Sequence, residues 1–324
     1  MTARPAVSSV ITTFHRPDGL RRALTSVCAQ PVDGHEVIVV NDAGPDVSAI
    51  VAAAARPVRL ITLPENRGLA VARKVGVAAA RGEFVAFLDD DDVWLPTHLP
   101  TALDALGTSS VDAVYTTCLV AHELAEPGRE VRSRYRFAVP FDAQLLAVTN
   151  LTPVISVVAR RFDAGDPMLH PHGAIQEDWA MWLGLVRGRG WRLQHVDVPT
   201  AVYHRVPSAT SMTGAAAATT AGIRRFAAGH RRLHQRWPVH PSSPAGRGRW
   251  MPHRMYDLVH ARHAAGLPVD PCYYERCLPV IAAALAGQLN REDAETALAA
   301  AVAPDIPGPR TPDSVSATSE EVSS

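Results

Sequence analysis

Four aspartates stand in a row, Asp89-Asp90-Asp91-Asp92, at the end of the mostly apolar run Phe84-Val85-Ala86-Phe87-Leu88. Adjacent carboxylates repel one another, so a fold retains them only beside a neutralising partner or in open water. A divalent cation is the usual partner, and an all-oxygen ligand set suits Mg²⁺ or Mn²⁺. The plainer alternative is a solvated acidic turn ahead of a helix that starts near Pro96. A second acidic pair, Glu177-Asp178, runs into Trp179-Ala180-Met181-Trp182-Leu183. Acids are favoured in the first turn of a helix by its macrodipole. That accounts for the carboxylates but not for two tryptophans beside them. Burial next to Trp179 or Trp182 would raise the pKa of such an acid and make it a proton acceptor. His170-Pro171-His172 has the look of a metal pair, but loop histidines without further ligands read as polar surface.

The elements that must carry these residues alternate. Val7–Thr12, Glu36–Val40, Val58–Thr62 and Phe84–Leu88 are apolar runs of strand length. Between them lie amphipathic stretches at Leu20–Cys28, Val47–Val51 and Leu69–Ala79, with Asp46 placed to cap the second. Such alternation predicts parallel strands joined by right-handed crossovers. The loops after Thr13, Val40 and Leu88 then share one edge of the sheet, where ligands bind in open α/β folds. Asp42 is thereby brought to the aspartate cluster by topology alone. Further on, Leu99–Leu106 reads as helix, and Val111–Cys118 and Ile155–Val158 as strands. Residues 119–150 carry no clear period. Gln176–Leu185 is a helix, followed by short strands at Trp191–Val198 and Ala201–Tyr203. From Thr220 to Ala303 the pattern is helical, with breaks at Pro238–Gly248 and near Pro268. The expected division is 1–215 for the sheet domain, 216–303 for the helical part and 304–324 for a disordered Pro/Ser/Thr-rich tail.

Composition narrows the class. The chain has 324 residues, 47% of them hydrophobic, enough for a real core. Its 32 basic and 32 acidic residues leave no overall field to recruit nucleic acid. Lys74 is the single lysine among those basic residues. Cys28, Cys118, Cys272 and Cys277 lack zinc or redox spacing and read as buried thiols of a reducing, cytoplasmic setting. No apolar run reaches the ~18 residues of a transmembrane span. Arg224, Arg225, Arg231, Arg232 and Arg236 form a basic helical run, read first as a solvated face.

Five pieces occur in a telling order: Ile11-Thr12-Thr13-Phe14-His15-Arg16, then Val39-Val40-Asn41-Asp42, then Asn66-Arg67-Gly68 with Ala72-Arg73 and Gly76. Leu88-Asp89-Asp90-Asp91-Asp92 and Glu177-Asp178-Trp179 with Trp182-Leu183 complete the set. Over residues 6–206 this order resembles the family 2 glycosyltransferases, which have the GT-A fold. The resemblance implies a Rossmann-like, mixed but mostly parallel sheet flanked by helices, and a nucleotide-sugar donor, with UDP or dTDP favoured. It implies that Thr13, Phe14 and His15 line the nucleotide site, with Asn66 nearby. Asp42 would contact the base or ribose, and Arg73 would lie near the nucleotide. Asp89, Asp90 and Asp91 would hold the ribose and the metal-bound diphosphate, and Asp178 would be the catalytic base beside Glu177. Metal ligands would be Asp91 and Asp89, with His204 as a further candidate, and Trp182 a candidate contact for sugar or acceptor. The chain differs from the common pattern in Asn41, in Lys74, and in Tyr203-His204-Arg205-Val206, where Tyr-Arg-x-His is frequent.

Moving a sugar off a nucleoside diphosphate needs the leaving charge neutralised and the acceptor hydroxyl deprotonated. Attack from the face opposite the leaving group inverts the anomeric centre, as in hydrolases that use no covalent nucleophile. Two rivals fit part of the sequence. A haloacid-dehalogenase-type phosphatase matches Asp89-Asp90-Asp91-Asp92-Val93, but its usual downstream lysine is missing. A non-catalytic nucleotide-sugar module fits the fold but leaves the acids without a role. The sequence names neither the sugar nor the acceptor, which could be a small molecule, a glycan, a lipid-linked group or a peptide. A homodimer is compatible with it.

Overall fold

The computed structural model describes residues 5–125, 131–133, 135–165, 175–205, 219–304 and 313–315. The apolar runs become strands β1 (Val7–Thr13), β2 (His35–Asn41), β3 (Val58–Thr62) and β4 (Phe84–Asp89). The amphipathic stretches become α1 (Pro17–Cys28), α2 (Ser48–Ala52) and α3 (Leu69–Ala79). The four strands are parallel in the order β3-β2-β1-β4. The carboxyl ends of all four lie on one edge, as the crossover rule requires.

Beyond β4 the sheet becomes mixed. The chain makes β5 (Val93–Trp94), α4 (His98–Thr108) and β6 (Ala113–Ala121). It continues through β7 (Val131–Ser133), β8 (Tyr135–Phe137), α5 (Ala143–Leu146) and β9 (Val157–Arg160). Strand β9 is antiparallel to both β4 and β6. Helix α6 (Glu177–Leu183) runs into a wider π turn over Gly184–Gly188 and leads to β10 (Leu193–His204), which pairs parallel with β6 and antiparallel with β5. The fold is the expected α/β class, a mostly parallel sheet flanked by helices.

Three local expectations change. The strand expected from Ile155 starts later, because Val154–Ser156 is a 3₁₀ turn. The two strands expected around Pro199 are one strand with register shifts on either side of that proline. Proline has no N–H for the ladder, so pairing slips there rather than ending. Asp46 lies one residue before the N-cap, Val47, yet its carboxylate accepts from the backbone N–H of Ser48, the first residue of α2, at 2.9 Å.

Helices α7 (Thr220–Arg236), α8 (Pro244–Gly248), α9 (Trp250–Ala264), α10 (Tyr273–Leu285) and α11 (Arg291–Val302) follow. They share one hydrophobic cluster with the sheet, in which Trp179 and Trp182 join Met255, Tyr256 and Leu278. The pair Arg205–Glu275, at 2.6 Å and with the carboxylate buried, ties the end of β10 to α10. Within the tail expected to be disordered, Asp313–Val315 forms a strand antiparallel to β7. No helix among the described residues is long and apolar enough to cross a membrane.

Candidate active site

The four aspartates do not act as one cluster. Asp89 and Asp91 keep 21% and 32% of their side-chain surface exposed, while Asp90 and Asp92 keep 3% and 1%. The two buried carboxylates hold the scaffold. Asp90 accepts from Thr13 Oγ1 at 2.8 Å, from Phe14 N at 3.2 Å and from Arg16 Nη1 at 2.7 Å, fastening the loop after β1. Helix α1 lies so close to this turn that a Cβ on Gly19 would sit 2.3 Å from the Asp90 carbonyl oxygen. Asp92 accepts from the backbone N–H of His204 at 2.7 Å and so fixes the end of β10. Asp90, expected to touch the donor, is thus a buried strut. Burial lifts the pKa of Asp90, against the pull of Arg16, and that of Asp92 much further.

Asp91 faces outward, with Arg16 Nη1 at 3.0 Å. Its pKa is pushed up to about 6 by burial, opposed by Arg16 and reinforced by Asp89 and Asp90. A further cation near it would relieve that strain. Asp89 is held by both oxygens to Arg73 Nη2, at 2.6 and 2.9 Å. Arg73 is buried on α3, and its Nη1 donates to Glu177 Oε1. One guanidinium therefore joins the aspartate turn to the second acidic motif.

Asp178, next to Glu177, accepts from Asn150 Nδ2 at 2.9 Å and from Trp179 N at 2.8 Å. Burial and the neighbouring Glu177 push its pKa up to about 7, against Arg73. The helix start is itself held from behind. Gln176 adopts a left-handed backbone, φ 68°, and its Nε2 donates to His230 Nδ1 at 2.6 Å. Gly229 leaves room for it, since a Cβ there would lie 2.9 Å from Gln176 Oε1. The other nitrogen of His230 lies 3.2 Å from Thr149 Oγ1, which is 2.6 Å from Tyr274 OH, and that phenol donates to the Asn150 carbonyl at 3.1 Å. Asn150, Gln176 and His230 had no motif to reveal them, because each acts through three-dimensional neighbours far away in sequence.

At the nucleotide side, Asp42 accepts from Arg67 N and Gly68 N, both at 2.8 Å, and so clamps the loop that holds Asn66 against β2. Asn66 itself is exposed. Asn41 explains its departure from the common aspartate: it accepts from Gly44 N at 2.9 Å and donates to Pro45 O at 2.9 Å, a task that needs an amide. Phe14 and His15 are exposed with their rings 4.3 Å apart. His15, Ala43 and Gln176 are the non-glycine residues with positive φ among those described, and all three flank the site. Strained backbone concentrates where a site needs it.

Two expectations are corrected. His204 Nδ1 donates to the Asp91 carbonyl at 2.6 Å, and its Nε2 accepts from Ala125 N at 2.9 Å. With both nitrogens engaged and its pKa lowered to about 4 by burial, it is a structural residue with no lone pair for a metal. Trp182 is 1% exposed and packs 6.4 Å from Phe87, so it fills the core and cannot stack on a sugar. The His170-Pro171-His172 motif lies outside the described residues. Among the described residues no group of three or more His, Cys, Asp or Glu converges as a ready-made metal cage.

Residues 8–162 match the family model described as "Glycosyl transferase family 2". Residues 8–162 thus form a family 2 glycosyltransferase domain. The uncharacterized glycosyltransferase YwdF of Bacillus subtilis is 28% identical over 61% of this chain and 73% of its own length. Against several further curated relatives the match spans only between 26% and 49% of their length. Two solved structures share the fold at a TM-score of 0.50. One is S. aureus TarS 1-349 in complex with UDP-GlcNAc, 15% identical, covering 90% of each chain. The other is the mannosyltransferase PcManGT from Pyrobaculum calidifontis in complex with GDP-Man and Mn²⁺, 19% identical, covering 93% of this chain and 86% of that one. In this glycosyltransferase the family match takes in Asp42, Arg73 and the aspartates but ends before Glu177 and Asp178. The second acidic motif reaches the first through Arg73.

Proposed function

We propose that this glycosyltransferase moves a sugar from a nucleoside diphosphate donor, UDP or dTDP, to an acceptor hydroxyl by a single inverting displacement with Asp178 as the general base. The observation that carries this reading is the environment of Asp178. Its carboxylate is half-buried at a helix start, oriented by Asn150, and desolvation with Glu177 beside it lifts its pKa to about 7. A base poised near neutrality both accepts a hydroxyl proton and is free of one often enough to do so. Glu177, tethered to Arg73, orients this end of the site. Asp42 serves the nucleoside by shaping the Asn66–Gly68 loop and by its remaining acceptor capacity. Phe14 and His15 offer exposed ring faces at the same edge.

Mg²⁺ or Mn²⁺ fits this chemistry. Mg²⁺ commonly takes only one or two carboxylates and completes its shell with substrate phosphate and water. Asp91, outward and strained toward its acid form, is the residue that would hold it, with Asp89 beside it. When bound, the ion supplies positive charge for the departing diphosphate. Asp91→Asn should remove the Mn²⁺-dependent part of nucleotide affinity, measured by thermal shift with UDP-, dTDP- and GDP-sugars, and leave the metal-free part. Retained metal dependence would move the cation elsewhere.

Asp178→Asn preserves shape and removes the proton acceptor. Turnover at saturating donor should fall by ~10²–10⁴ with donor affinity nearly unchanged. Near-normal turnover would exclude Asp178, and a product that retains the donor's anomeric configuration would exclude single displacement.

A further inference from the structure

Charge is unevenly distributed along this electrically balanced chain. Thr220–Ala264 carries nine arginines against one acid, Asp257. Helix α7 turns Ile223, Ala227, His230, Leu233 and His234 inward, where they pack behind the catalytic helix. Its opposite face carries Arg224, Arg225, Arg231, Arg232 and Arg236, all exposed. At 100° per residue these five fall within an arc of about 140°. Helix α9 lies antiparallel beside it, with His253 3.2 Å from His234 and His260 3.1 Å from Arg224, and adds exposed Arg254. Among the described residues no carboxylate pairs with Arg225, Arg231 or Arg232. Like charges held side by side on a rigid helix repel one another, and no described carboxylate offsets Arg225, Arg231 or Arg232.

The shape of the patch selects the partner. It is the convex side of a helix rather than a groove, so it does not wrap a chain-like polyanion. Its exposed residues, which also include Ala221 and Gln235, contain no aromatic ring on which a base could stack. A planar array of phosphates meets such a face all at once, and guanidinium groups bind phosphate in bidentate fashion. Clusters of four to eight basic residues on a helix are a recognised fit to anionic lipid headgroups.

We propose that the arginine face of α7, with Arg254 beside it, docks this protein on an anionic lipid surface. The assignment stands apart from the catalytic reading above. It is tested by co-sedimentation of the full chain with phosphatidylcholine vesicles, with and without phosphatidylglycerol. Binding should require phosphatidylglycerol and weaken as salt rises. The triple variant Arg225→Gln, Arg231→Gln, Arg232→Gln should partition on the order of 100-fold more weakly, from about 1 kcal/mol per basic residue. Removing three exposed arginines elsewhere, Arg21, Arg59 and Arg291, should leave partitioning unchanged, which separates the face from net charge. If the triple proves unstable, the single reversal Arg232→Glu gives the same comparison. Three results would overturn the proposal: no binding of the wild-type chain at low salt, equal binding by the triple variant, or equally tight binding of heparin or duplex DNA through the same arginines.

Discussion

At the scale of single residues, identical side chains differ by which way they point. Asp89 and Asp91 stay partly exposed while Asp90 and Asp92 brace loops, a difference that four adjacent identical residues do not reveal in the sequence. Asp178 carries its own pH signature. With its pKa raised to about 7, the rate constant kcat/KM should rise with pH and level off above that value. Stability should respond in the opposite sense. The folded state binds this proton more tightly than the unfolded chain does, so the contribution is full below the ordinary aspartate range and is lost as pH rises toward 7. Asp178→Asn should therefore raise the melting temperature relative to wild type at pH 8 and not at pH 4. Equal melting shifts at both values would show that the carboxyl is not held in its acid form.

At the scale of elements, the alternation of strand and helix through β4 could be read from the sequence because each apolar run has one period and one turn signal. The loops after β1, β2 and β4 followed from topology, and Asp42 and Asp89–Asp92 came together as that topology requires. The stretch 119–150 could not be read, since β7, β8 and α5 are three or four residues long, too short to show a period. Trp182 and His204 are only candidates in the sequence, for a different reason. Burial and a full set of hydrogen-bond partners depend on neighbours distant in the chain, and no spacing rule encodes them. The same holds for the buttress behind α6, which has a clear consequence. Gln176→Gly relieves the left-handed backbone but cuts the link to His230, and His230→Phe cuts it from the other side. Both variants should lower kcat and leave donor affinity near wild type. A loss confined to donor affinity would show that the buttress serves a different half of the site.

At the scale of the whole molecule, the C-terminal helices are part of the catalytic core rather than an appendage. They share its hydrophobic cluster, and buried Glu275 on α10 lies against the mostly covered Arg205 beyond β10. Breaking such a pair from one side leaves a bare charge in the interior. Glu275→Ala should cost about 3–5 kcal/mol in urea denaturation. Replacing both partners with apolar residues should cost much less, and equal losses would argue for packing rather than charge. Two-state unfolding across sheet and helices is expected, since one core spans both.

The guanidinium of Arg73, divided between Asp89 and Glu177, makes the site resemble a lock with two keys. A cation held by Asp91 and Asp89 would compete with Arg73 for Asp89 and leave the guanidinium nearer Glu177. Positive charge nearer Asp178 would favour its ionised form, so on the proposed mechanism seating the donor would lower the pKa of the base. The pH midpoint of kcat, which reports the loaded enzyme, should then lie below that of kcat/KM for the donor, which reports the free one. Coincident midpoints would mean that Arg73 carries no message between the two acids.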